Sequence, residues 1–223
     1  MKRASALDIT RCALFVALIT IGSFIKVPIP LSPFTLQFLM TSLAGRLLGP
    51  RWGTCAVAAY VVAGLAGLPI FAEGGGIGYI ANPNFGYLVG FVLGTWATAK
   101  ITPPESRSSR KRLVFSCFVG LMVCYAVGMV YLYAVSNFVL GTTVTFAALI
   151  WFCFIVAIPG DLALCFAAAE IAYRVLPAMQ GRKAPGKKAA VAGPGAASAV
   201  GLASRPVPET MPAETSAGKE AVL

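Results

Sequence analysis

Six apolar stretches set the terms of the fold: residues 8–25, 34–49, 52–69, 85–101, 113–134 and 160–176. Each approaches or reaches the roughly 18 residues that carry a helix across a bilayer. Hydrocarbon offers no water to satisfy backbone N–H and C=O groups, so such stretches must close their hydrogen bonds internally, as helices. Composition agrees, with 58% hydrophobic and only 12% charged residues, against about 25% charged in soluble domains. The sequence predicts an all-α polytopic membrane protein with six transmembrane helices. A further apolar segment, 145–157, reads either as a helix at the membrane edge or as the first part of one kinked helix over 145–176. The first stretch follows a basic start with no small-residue cleavage site after it, so it reads as a membrane helix and not as a removable signal.

Proline and glycine mark the joints: "KVPIPLSP", "LGPRWG", "ITPPES" and "IPGD". Charge then orients the spans. Lys2, Arg3, Arg11, Arg46, Arg51, Lys100, Arg107, Arg110, Lys111, Arg112 and Arg174 fall on one side of a six-span arrangement, and the other side holds Lys26. Basic residues collect on the cytoplasmic side, which predicts that both termini are cytoplasmic. The net charge of +10 is thereby a topology signal and needs no nucleic-acid partner. From about Ala178 the chain turns to "GRKAPGKKAAVAGPGAASAVG". Such a composition cannot bury enough apolar surface to order itself. The division expected is a membrane domain, 1–177, and a disordered basic cytoplasmic tail, 178–223.

The chain has no histidine, which removes the usual general base and the commonest metal ligand. Its six cysteines lie in apolar segments without a CxxC pair, as membrane-buried small hydrophobes do. A rhomboid-type dyad is excluded, and an aspartyl dyad lacks its second intramembrane acid. No enzyme, cofactor or metal site is expected.

Three segments on the outward side concentrate polar groups. "VPIPLSPFTLQF" brings Thr35 and Gln37 to the second span. "GLPIFAEGGGIGYIANPNFGYLVGF" carries Gly74, Gly75, Gly76 and Gly78, then Asn82, Asn84 and Tyr87. "IPGD" places Asp161 within the apolar run from Ile150 to Ala169. A carboxylate at the centre of a membrane helix costs roughly 3 kcal/mol on insertion scales. Asp161 therefore either only caps the sixth helix, as Asp readily does, or meets a ligand, with or without capping. Glu170 and Arg174, four apart, read as a surface pair near the cytoplasmic end.

The ordered set "TLQ", "LLGPRWG", "GLPIF", the glycine loop, "GYLVGF" and "PGDL", between about Ala13 and Ala172, closely resembles the BioY family. These are the biotin-binding S components of energy-coupling factor vitamin transporters. The resemblance implies the S-component fold, a site near the outer face and a prokaryotic plasma membrane. It also implies partners: a coupling protein and paired ATPase subunits. Biotin is then the expected ligand, with Asp161 accepting a ureido N–H, Asn82 or Asn84 offering both donor and acceptor, and Tyr79, Tyr87 and Phe85 as apolar walls. The alternative within the fold is another small vitamin-like solute.

One departure stands out. The family often has a lysine three residues after the aspartate, where this chain has Leu164. Lys26, the outward cation, is the candidate substitute, against the default of a lysine snorkelling to the interface. In the first span Ala13 and Ala17 share a face at small-xxx-small spacing. By the same resemblance they match the surface that docks on the coupling protein.

Overall fold

The computed structural model describes residues 5–27, 34–104, 109–142 and 144–179. Helix α1 (Ala6–Phe24) opens with a capping box, in which Ser5 and Asp8 each satisfy a backbone N–H of the first turn. Short strands β1 (Lys26–Val27) and β2 (Phe34–Thr35) pair antiparallel, Lys26 opposite Thr35. This two-stranded pairing is a departure from the all-α class expected of the chain. Residues 28–33 of that segment lie outside the described residues.

The second and third apolar stretches form one element, α2 (Gln37–Leu65), interrupted at Gly49. Gly49 has φ 86°, a left-handed conformation that favours glycine, and Pro50 follows it. The two limbs, 37–48 and 50–65, are about 18 and 24 Å long at 1.5 Å per residue. The predicted joint is thus real, but it is a turn of one residue and not a loop. Arg46, counted from sequence among the cytoplasmic charges, is fully buried one turn before the break. Its guanidinium donates to the Leu113 carbonyl and to Ser116 Oγ, tying α2 to the next long helix but one.

Helix α3 (Phe85–Ile101) matches the expected fourth span. Helix α4 (Arg110–Ala134), capped by Ser109, continues through a π-helical turn, Val135–Val139. α3 packs on both α2 and α4. Its approach to α4 is close: a Cβ on Gly94 would stand 2.6 Å from the Gly120 carbonyl, the small-residue contact that membrane helices use in place of a hydrophobic drive. A short helix α5 (Phe146–Leu149) runs through a π-helical segment, Ile150–Ile155, towards α6 (Ile158–Met179). This path favours the kinked-helix reading of 145–176 over a separate edge helix. Pro159 and Gly160 belong to the first turn of α6, where a missing N–H costs nothing, so "IPGD" is a helix start and not a joint before one.

Among the described residues, three helical runs are long and apolar enough to cross a membrane: Ala6–Phe24, Arg110–Val139 and Ala147–Met179. α3, at 17 residues, is slightly shorter. α6 runs two residues past the expected domain boundary, to Met179. The tail from residue 180 lies outside the described residues, as do Lys2, Arg3 and Arg107.

Candidate functional site

The segment between α2 and α3 is pinned to the helices around it. Ser23 Oγ of α1 and Tyr60 Oη of α2 both donate to the Ile70 carbonyl, at 2.7 and 2.9 Å. Tyr131 Oη of α4 donates to the Ile80 carbonyl at 2.6 Å, and the Gly76 N–H reaches back to the Gly64 carbonyl at 2.7 Å. Phe71 is buried against Tyr60 and Tyr79 in an aromatic cluster. Burial, with the charge of Glu73 nearby, pushes the Tyr79 hydroxyl up to about 12.

A cavity of about 740 Å³, mouth included, lies where this segment meets α2, α3, α4 and α6. Ala72, Tyr79 and Asn84 line it from the segment, Thr35 from β2, Gln37 from the start of α2, and Tyr87 from α3. Phe38, Leu88, Phe91 and Leu121 supply apolar wall, and Tyr125 and Asp161 face one another from α4 and α6. Tyr125 Oη donates to Asp161 Oδ2. Asp161 is only 7% exposed.

The polar inventory is incomplete on the protein side. Gln37 Nε2, Asn84 Oδ1 and Tyr87 Oη are buried without a hydrogen-bond partner among the described residues. All three residues line the cavity. A buried polar atom left unpaired costs about 1–3 kcal/mol, so three around one space mark a place for a ligand that donates and accepts. Asp161 does not cap α6. It is the fourth residue of the helix, and its own N–H donates to the Ala157 carbonyl at 3.1 Å.

The remaining candidates fall elsewhere. Asn82 is not among the lining residues: its amide donates to Glu73 Oε2 at 2.9 Å, and its Oδ1 accepts from the Asn84 N–H at 2.8 Å. Asn84 also donates to Glu73, at 3.3 Å. Gly74 and Gly76 have φ of 121° and 97° and shape the turn. At Gly75 a Cβ would stand 2.1 Å from the Leu68 carbonyl, whereas Gly78 faces open space. Lys26 Nζ donates to the Ala72 carbonyl at 2.6 Å, beside the cavity and exposed. Phe85 packs edge-on against Tyr131 and is not a wall. Ala13 and Ala17 are exposed on α1, and Leu164 packs against the apolar core. Sequence reasoning missed Tyr125 and Glu73. A lone tyrosine within "LMVCYAVGM" was the available signal for the first.

Comparison with known proteins gives one family. The model of the BioY family matches residues 1–181. A probable biotin transporter BioY of Lysinibacillus sphaericus is 38% identical over 175 residues, covering 78% of this chain and 89% of the relative. The biotin transporter BioY of Thermotoga maritima is 35% identical over 170 residues, covering 75% and 95%. Among solved structures, the S-component for biotin from an ECF-type ABC transporter, a crystal structure at 2.1 Å, is similar with a TM-score of 0.65. It is 27% identical, and the match covers 78% of this chain and 94% of that one.

Proposed function

The chain belongs to the BioY family, and from that membership we propose that it is a biotin-capturing membrane subunit, the S component of an energy-coupling factor transporter. It is a prokaryotic membrane protein and not an enzyme. The observation that carries the reading is the set of unpaired polar atoms around the cavity, with Asp161 on the same lining. Biotin's ureido ring brings two N–H donors and one carbonyl acceptor, and its thiophane ring and valeryl chain are apolar. Asp161 accepts one ureido N–H in a charge-assisted bond and Asn84 Oδ1 accepts the other. Gln37 Nε2 and Tyr87 Oη are donors for the ureido carbonyl, and Phe38, Leu88 and Phe91 cover the apolar part. Lys26, held at the rim by the Ala72 carbonyl, is the candidate for the ligand's carboxylate, since position 164 is a leucine.

In this proposal the two limbs of α2 count as separate passes, which with α1, α3, α4 and α6 makes six spans in the plasma membrane with both termini cytoplasmic. The glycine segment then faces outward, where the vitamin arrives. Ala13 and Ala17 are available for a coupling protein that links the subunit to ATPases. Binding of radiolabelled biotin to the purified chain, against thiamine and riboflavin, tests the reading. Biotin should be retained alone. Preferential retention of another vitamin would make this an S component of different specificity.

A further inference from the structure

Away from the cavity, α4 and α6 line a second groove whose two ends differ in chemistry. Its walls are Phe115 and Phe118 on α4 and Leu162 and Phe166 on α6. The three aromatic rings are exposed: Phe115 at 59%, Phe118 at 39% and Phe166 at 59%. Cys165 and Ala169 complete the lining on α6. At one end the lining changes abruptly to Arg110, Lys111 and Glu170.

That end carries the marks of a headgroup level. Arg110 stacks over the Tyr173 ring at 4.6 Å, and Arg174 pairs with Glu170 at 2.7 Å. Tyrosine, arginine and lysine gather where a helix leaves hydrocarbon for headgroups. Arg110 also contacts Glu170, at 3.6 Å. Among the described residues, one carboxylate, Glu170, contacts Arg110 and Arg174, and Lys111 lines the same end, so this rim keeps net positive charge. Basic pockets between membrane helices at this level suit lipid phosphates.

We infer that the groove between α4 and α6 is a binding site for an anionic phospholipid, its acyl chain along Phe115, Phe118, Leu162 and Phe166 and its phosphate on Arg110 and Lys111. The charge at the rim selects an anionic headgroup, and the apolar length behind it selects a chain over a free phosphate. The groove is separate from the proposed vitamin cavity and shares no lining residue with it.

The test is native mass spectrometry of the full chain after equilibration with equal amounts of dioleoyl phosphatidylglycerol and dioleoyl phosphatidylcholine. The wild type should retain the anionic lipid at least fivefold over the zwitterionic one, and excess glycerol phosphate should not displace it. Arg110→Gln with Lys111→Gln should abolish the preference while leaving biotin binding unchanged. Glu170→Gln should raise it, because the competing carboxylate is gone. Equal retention of both lipids by the wild type would overturn the assignment, as would an unchanged preference in the double variant. Displacement by glycerol phosphate, or a dimer in place of lipid adducts, would also overturn it.

Discussion

The hydroxyl of Tyr125 on α4 donates to the carboxylate of Asp161 on α6, joining two helices at the wall of the cavity. The bond gives a buried acid one fixed partner, and in the proposed reading its other acceptor sites serve the ureido N–H. Tyr125→Phe removes the donor and little volume. Hydrogen bonds to charged groups are worth about 1.5–3 kcal/mol, which corresponds to a melting temperature lower by roughly 3–10 °C in a chain of this size. Thermal unfolding of the ligand-free protein checks this. A melting temperature equal to wild type would mean that the pair contributes nothing to the empty state.

The glycine-rich segment should divide sharply under substitution. Gly75→Ala forces a Cβ against the Leu68 carbonyl, which is backbone and cannot swing aside. Gly78→Ala meets open space. Biotin titrations should show Gly78→Ala near wild type and Gly75→Ala at least tenfold weaker. Comparable affinity in both would show that the turn is not what shapes the site.

Ala13→Leu and Ala17→Leu add bulk to an exposed stripe of α1 that is remote in sequence from the cavity lining. Uptake of biotin by cells should fall severalfold while binding to the purified variants stays normal. Normal uptake in both would leave these alanines as lipid-facing residues without a partner.

The six-span arrangement predicts which positions a membrane-impermeant thiol reagent reaches from outside. Single cysteines near Glu73–Asn84 should label in intact cells, and those near Gly49–Trp52 should label after permeabilisation alone. Outside labelling at the Gly49 break would remove the two-pass reading of α2.

Much of the architecture was legible because glycine and proline act locally. Gly49–Pro50 breaks α2 where the sequence placed a joint, and α3 keeps its predicted bounds from Phe85 to Ile101. "IPGD" misled because proline and glycine also fit the first turn of a helix, so only the backbone bond from Asp161 to Ala157 shows that α6 has already begun. The π-helical segments leave no pattern in an apolar run. Thr35, Gln37, Asn84, Tyr87 and Asp161 do meet at one cavity. Asn82, two residues from Asn84, turns instead to Glu73, a choice made by the fold of the segment and invisible to spacing. Tyr125 was hidden for the same reason: its partner lies 36 residues away on another helix.

The most direct measurement is a biotin titration of Asp161→Asn, with folding verified by unchanged elution and helicity. The substitution keeps the shape and can still accept from Tyr125, but it replaces a charged acceptor for the ureido N–H with a neutral amide. Losing about 1.5–3 kcal/mol corresponds to binding weaker by roughly ten- to a hundredfold. An affinity within twofold of wild type would contradict the account and remove Asp161 from the ligand's contacts.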